Sequence, residues 1–285
     1  MVSAFDPPAP AVRDAVARAF AEDLGPLGDL TAALLPPDAK VTAILRARAD
    51  GVLAGTACAT EAFAHLDATV SVTWHLADGD RLGPGDVIAT VTGPLASVLT
   101  AERTALNFLC HLSGIASLTR RFVDAAAAVN PACRIWDTRK TTPGLRTLEK
   151  AAVRAGGGVN HRGSLSDFVL VKDNHLAGLT ITEAVARARA RWPARTVEIE
   201  CDRLEQVSEA IAAGATLVLC DNMTPAEVAE SVSRAGGQAL IEVSGGITLD
   251  TVGGYAAAGA DLISTSAITQ SAPALDIGLD LAGAA

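Results

Sequence analysis

Positive charge is in short supply in this 285-residue sequence: 23 Lys and Arg face 32 Asp and Glu, a formal net charge of −9. A nucleic-acid binder usually spreads basic charge over its surface. Aromatic residues, at 4% of the chain, are also too few to form the stacking platforms that bind single strands. Cysteine is scattered: Cys58, Cys110, Cys133, Cys201 and Cys220 form no C-x-x-C pair, so neither a disulfide framework nor a structural zinc site is signalled. They read as small buried thiols. No run reaches the roughly eighteen apolar residues of a membrane span. The opening MVSAFDPPAPAVRDAV has no basic stretch followed by an apolar one, as a secretory signal would. The expectation is a soluble, cytoplasmic protein with neither nucleic acid nor membrane as partner.

Apolar residues are abundant, at 49%, enough for one large core and a smaller one. The first hundred residues read as a mixed α/β unit. A helix is expected over 12–24, strands over 41–48, 70–76 and 87–91, and a short helix within 51–66. Asp78-Gly79 and Pro84-Gly85-Asp86 punctuate a hairpin. A helical pattern follows over 95–129, with a break expected at Ser113-Gly114.

After Asn130-Pro131 the rhythm changes to short apolar strands, 133–136, 168–171, 197–200, 217–220, 240–243 and 262–264, alternating with helices. Thr180-x-x-Glu183 is a capping box, Thr224-Pro225 opens another helix, and Gly214 and Gly259 end two more. Repeated β/α units suggest a parallel barrel. A doubly wound open sheet competes, but no G-x-G-x-x-G follows the first strand to support it.

Each strand ends in a polar cluster: Asp137-Thr138-Arg139-Lys140, Lys172-Asp173-Asn174-His175, Glu200-Cys201-Asp202, Asp221-Asn222, Ser244-Gly245-Gly246 and Ser264-Thr265-Ser266. Barrel enzymes build their sites at the carboxyl ends of the strands, so the clusters converge on one mouth. Between Arg134 and Lys172 eight basic side chains stand against three acids, a cationic island in an acidic chain. It points to a small polyanionic ligand. Arg139 and Arg162 offer planar forks for carboxylate or phosphate, Lys140 and Lys172 offer point charges, and His161 adds a pH-dependent donor. Glu200 and Asp221 suit ribose hydroxyls or, through waters, a magnesium ion. Ser244-Gly245-Gly246, leading into a helix, suits a phosphate. For Gly156-Gly157-Gly158 a tightly turned loop is expected. Arg103, taken alone, reads as a solvated helix charge.

The string DTRKTTPGLRTLEKAAVRAGGGVNHRGSLSDFVLVKDNH, Asp137 to His175, resembles the signature of the quinolinate phosphoribosyltransferases. Similarity continues in Glu22-Asp23-Leu24, Gly28-Asp29-Leu30-Thr31, Ala101-Glu102-Arg103, Asn107, His111-Leu112-Ser113-Gly114-Ile115-Ala116 and Ile241-Glu242-Val243-Ser244-Gly245-Gly246-Ile247. The resemblance implies an N-terminal α/β sandwich, residues 1–110 with the tail 274–285 packing back on it. An incomplete parallel α/β barrel, residues 111–273, would carry the catalysis. The implied reaction joins quinolinate to phosphoribosyl pyrophosphate with decarboxylation, with Mg2+ as cofactor, in a homodimer that shares its active sites.

By that resemblance Arg139, His161, Arg162 and Lys172 surround the pyridine dicarboxylate. Lys140, Glu200 and Asp221 serve the phosphoribosyl donor, with Glu200 and Asp221 toward magnesium. Ser244-Gly245-Gly246 and Ser266-Ala267 hold the 5-phosphate, and Arg103 reaches across the dimer. One departure is Gln270, where many bacterial members of the family have His; it can donate a hydrogen bond but carries no charge. Two other readings stay open: transfer to a different pyridine or related base, and a Schiff-base aldolase using Lys172 or Lys140. A non-enzymatic ligand-binding protein would not require Lys140, Glu200 and Asp221.

Overall fold

A computed structural model describes residues 5–282. In chain order the first elements are α1 (Ala9–Asp23), β1 (Lys40–Ala47), β2 (Gly51–Val52), α2 (Thr56–Leu66), β3 (Ser71–Trp74), β4 (Arg81–Leu82), β5 (Val87–Pro94), α3 (Leu95–Ala127), β6 (Arg134–Trp136) and α4 (Arg146–Ala155). Then come β7 (Val169–Val171), α5 (Ile181–Arg191), β8 (Val197–Cys201), α6 (Leu204–Ala212), β9 (Leu217–Asp221), α7 (Pro225–Ala235), β10 (Leu240–Ser244), α8 (Leu249–Ala257), β11 (Leu262–Ser264), α9 (Ala267–Gln270) and β12 (Ile277–Leu281). The chain separates into two compact units. One takes in the described residues of Met1–Arg120, Thr141–Gly157 and Ser271–Ala285, the other Arg121–Lys140 and Gly158–Gln270. The boundary expected at 110/111 lies inside α3.

In the first unit a four-stranded antiparallel sheet has the order β12-β1-β5-β3. Its buried positions include Ala43, Leu45, Ala47, Ile88, Ala89 and Val91, and α1 contributes Val12, Ala15, Val16 and Phe20, the three-and-four spacing of one helix face. The break expected at Ser113-Gly114 is absent: α3 is continuous over 33 residues. The glycine there answers a packing need. A Cβ on Gly114 would lie 2.0 Å from the Pro273 carbonyl oxygen, so only glycine lets the incoming C-terminal segment approach. Ser113 Oγ turns outward from the helix ladder to donate to the Ala54 carbonyl at 3.1 Å and accept the Ala54 N–H at 3.0 Å. At Gly156 and Gly157 the tight turn is present, with added Cβ atoms meeting the Ala116 carbonyl oxygen at 2.4 Å and the Arg120 guanidinium at 2.8 Å.

The second unit holds six parallel strands in the order β6-β11-β10-β9-β8-β7. Helices α5 to α8 each connect one strand to its neighbour in this order, the β/α repeat read from the sequence. The Thr180 and Thr224 capping boxes both form, with Glu183 and Glu227 as reciprocal partners. No ladder joins β6 to β7 among the described residues, and α4, the helix between them in sequence, belongs to the first unit. The barrel is therefore incomplete.

Candidate active site

Side chains alternate along a strand, so residues two apart share a face. The inward set comprises Leu170 and Lys172 of β7 and its end, Glu198 and Glu200 of β8, Leu219 and Asp221 of β9, Glu242 and Ser244 of β10, and Leu262 and Ser264 of β11. Parallel register puts Ser244 beside Asp221, and Glu200 beside Leu219. The members nearest the carboxyl ends, with Thr138, Arg139, Lys140, His161 and Arg162 from the loops, line a cavity of about 350 Å³.

Loop contacts fix the cations. The Lys140 N–H donates to Thr138 Oγ1 at 2.9 Å, and its carbonyl accepts from Thr269 Oγ1 at 2.7 Å. Asp137, fully buried at the end of β6, accepts the His161 N–H at 2.9 Å and the Asn160 amide at 2.6 Å, tying the His161-Arg162 loop to the strand. Arg162 donates to the Phe168 carbonyl at 3.4 Å and lies over the Phe168 ring, 5.9 Å from its centroid. Burial and the neighbouring Arg139 push its pKa down. Lys172 Nζ donates to Glu200 Oε2, and its N–H is accepted by His175 Nδ1 at 2.9 Å.

Beneath these groups lies a buried acid pair. His161 Nε2 is 3.2 Å from Glu198 Oε2 and 3.7 Å from Glu242 Oε2, while Trp136 and Phe168 meet the imidazole edge-on. Burial pushes the Glu198 carboxyl up to about 7, against the pull of Glu242, Arg162 and Lys172. Burial first, and Glu198 second, raise Glu242 well above its ordinary range. The donor atoms of His161, Glu198 and Glu242 lie within 4.8 Å of one another, a metal-binding composition. Burial, the largest cause for both carboxyls, favours their neutral forms, which suit a cation poorly.

Of the residues selected from the sequence, Lys140, Glu200, Asp221, Arg139, His161, Arg162, Lys172 and Ser244 line this cavity. Gly245 and Gly246, with φ of 99° and 60°, form the turn after β10, and Ser266 and Ala267 stand where β11 passes into α9. Arg103 is exposed on α3 in the first unit and is not among the lining residues. A smaller cavity of about 190 Å³ lies within that unit, lined by Glu22, Asp23, Asn107 and His111 among others. It lacks cations. Sequence reasoning missed Glu198 and Glu242 as site residues, although a signal existed: each is an acid between β-branched neighbours inside an apolar strand, Val197-Glu198-Ile199 and Ile241-Glu242-Val243. Acids are rarely fully buried without a reason.

Fold and site together define an α/β-barrel enzyme that acts on a small, multiply anionic substrate. The sequence matches the N-terminal domain of quinolinate phosphoribosyl transferase over residues 29–113 and the C-terminal domain over residues 115–280. It is 42% identical over 264 residues to a probable nicotinate-nucleotide pyrophosphorylase (carboxylating) of Bacillus subtilis, covering 92% of this chain and 90% of that one. It is 41% identical to the nicotinate-nucleotide pyrophosphorylase (carboxylating) of Mycobacterium leprae, covering 95% and 97%. The solved structure of the nicotinate-nucleotide pyrophosphorylase from Francisella tularensis superposes with a TM-score of 0.93 at 36% identity, covering 99% of each chain. The chain belongs to the quinolinate phosphoribosyl transferase family.

Proposed function

We infer that this protein transfers the phosphoribosyl group of phosphoribosyl pyrophosphate to the ring nitrogen of quinolinate and releases one carboxylate as carbon dioxide. The products are nicotinate mononucleotide and pyrophosphate, a step in making NAD. The observation that carries this reading is the charge arrangement of the cavity: Arg139, Lys140, Arg162 and Lys172 gather around Glu200 and Asp221 at the carboxyl ends of the parallel strands. Two substrates with carboxylate, phosphate and pyrophosphate groups need such a set of cations. A sugar carbon that becomes positive in the transition state needs the carboxylates.

Arg139, Arg162 and Lys172 hold the two pyridine carboxylates, with His161 completing the wall. Lys140 meets the pyrophosphate of the donor, while Ser244-Gly245-Gly246 and Ser266-Ala267 offer hydroxyls and backbone N–H groups to the 5-phosphate. As the ring nitrogen attacks C1, the bond to pyrophosphate breaks, and Glu200 and Asp221 stabilise the charge that grows on the sugar. No covalent enzyme intermediate is required. When carbon dioxide departs, the adjacent positive nitrogen stabilises the electron pair left at C2, and that carbon takes a proton from solvent to complete nicotinate mononucleotide. The protein contributes orientation and exclusion of water. Glu200 and Asp221 are hard oxygen donors at adjoining strand ends, a set that fits Mg2+, which favours one or two carboxylates with waters and substrate phosphate. When bound, the ion neutralises charge on the leaving pyrophosphate.

The working form is proposed to be a cytoplasmic homodimer in which Arg103 completes the partner's site. Quinolinate and phosphoribosyl pyrophosphate, assayed with and without Mg2+, should yield nicotinate mononucleotide and carbon dioxide in equal amounts. A substrate-derived adduct trapped on Lys172 or Lys140 by borohydride, with no nucleotide formed, would move the assignment to a Schiff-base enzyme. For the shared site, inactive Arg103→Ala and Lys140→Ala homodimers, mixed after reversible dissociation, should regain roughly a quarter of wild-type activity by random pairing. Verified mixing with no recovery means Arg103 does not act across the interface.

A further inference from the structure

Asn222, immediately after Asp221, is the one non-glycine residue with positive φ, 56°, among those described. Left-handed backbone at a non-glycine residue costs about 1 kcal/mol or more, least for Asn, and persists where surrounding structure holds it. Here three contacts do so. The Asn222 N–H donates to the Ser244 carbonyl at 2.9 Å, clamping the end of β9 to the end of β10. Its side-chain Nδ2 donates to Asp221 Oδ2 at 2.8 Å. Its Oδ1 lies against Gly245, where an added Cβ would come within 2.2 Å of it. Asn222 itself does not line the cavity, whereas Asp221 and Ser244 do.

We propose that Asn222 is a positioning residue for the phosphoribosyl donor: its amide fixes the Asp221 carboxylate while its backbone and side chain seat the Ser244-Gly245-Gly246 turn. The groups that meet the ribose hydroxyls and the phosphate then keep one spacing. This rests on the assignment of Asp221 and the turn to the donor made above. Two substitutions tolerate the left-handed backbone and remove the amide donor. Asn222→Gly removes it and also relieves the strain; Asn222→Asp replaces the donor by an oxygen facing Asp221. A purely backbone role predicts that both behave like wild type.

The positioning role predicts otherwise. Calorimetry with phosphoribosyl pyrophosphate and Mg2+ should show affinity falling by about tenfold to a hundredfold in Asn222→Gly, the size of a lost hydrogen bond to a charged group. Asn222→Asp should fall further. Quinolinate affinity, measured on the same preparations, should stay within about twofold, because its cations sit on other loops. The proposal fails if wild type binds the donor and both variants bind it equally well. It fails also if quinolinate affinity drops in step, which would mean general disruption of the mouth. A wild type that binds no phosphoribosyl pyrophosphate overturns the functional reading of the site, and the donor-positioning role with it.

Discussion

Replacing Glu198 by Gln should make the protein's stability less sensitive to alkali. Glu198 is fully buried, with Glu242 and His161 against it and Arg162, Lys172 and Glu200 also in its field. Burial dominates and lifts its carboxyl from the ordinary 4.5 to about 7. The folded-state pKa lies above the unfolded one, so the contribution to stability is complete below about pH 4.5. It declines as pH rises and is gone above about 7. At about 1.36 kcal/mol per pH unit, the loss across this window is about 3 kcal/mol. Glu242 acts in the same direction, its carboxyl being raised for the same cause. Glutamine keeps the shape of the neutral acid and cannot ionise. Urea unfolding of wild type and Glu198→Gln without added magnesium, at pH 5, 6, 7 and 8, should therefore show the variant gaining on wild type by about 2–3 kcal/mol between pH 5 and pH 8, part of the loss having occurred below pH 5. Parallel stability curves for the two proteins would refute the reasoning and place the Glu198 carboxyl in its ordinary range.

Three other outcomes follow from the same contacts. Lys140→Ala should lower kcat/KM by at least about a hundredfold, as loss of one electrostatic stabiliser does, with quinolinate binding by calorimetry close to wild type; a loss matching that of Arg139→Ala would reassign Lys140 to quinolinate. Nicotinate, lacking the second carboxylate, leaves one or more of the Arg139, Arg162 and Lys172 donors unmatched and should give kcat/KM on the order of 10⁴-fold below that of quinolinate; comparable steady-state constants would show that the cations do not read two carboxylates. Gly114→Ala gains about 1 kcal/mol of helix propensity, but its Cβ must displace the Pro273 backbone from 2.0 Å. Overpacking of this kind costs about 1–3 kcal/mol, and no rotamer relieves it, so thermal unfolding should show net destabilisation; an unchanged or raised Tm contradicts the close approach.

The barrel strands were legible because their apolar runs end in polar clusters, and each strand lies within a residue or two of the span read from the sequence. Helix starts were legible at the Thr180 capping box and at Thr224-Pro225. The glycines misled at Gly114, since a glycine that breaks a helix and one that admits another chain segment look alike until the neighbour is known. Helix α4 was hidden by its own chemistry. Its Arg146, Lys150 and Arg154 belong to the cationic island between Arg134 and Lys172, yet the helix packs in the first unit, where Lys150 is buried and Arg154 Nη2 donates to the Phe5 carbonyl at 3.2 Å. The inward face of the barrel was half legible: Glu200 and Asp221 announce themselves at strand ends, while Glu198 and Glu242 lie deeper, where His161 meets them from a distant loop.

Strand β12 has a consequence for synthesis on the ribosome. It covers one edge of β1, with Ala43 to Ala47 pairing against Leu281 to Ile277, while β5, the other neighbour of β1, ends at Pro94. Residues 95–276 must therefore be translated before that edge can be covered, about ten to forty seconds at roughly 5–20 residues per second. Throughout that interval β1 presents an open row of backbone donors and acceptors, the kind of edge that recruits stray strands. Lys40 and Arg46 place charges near its two ends, as gatekeepers of a waiting strand do. The second unit is drawn wholly from residues inside the interval, so it has its complete chain before the first sheet does. A chain truncated after Gln270, which lacks β12, should leave the first sheet open along β1.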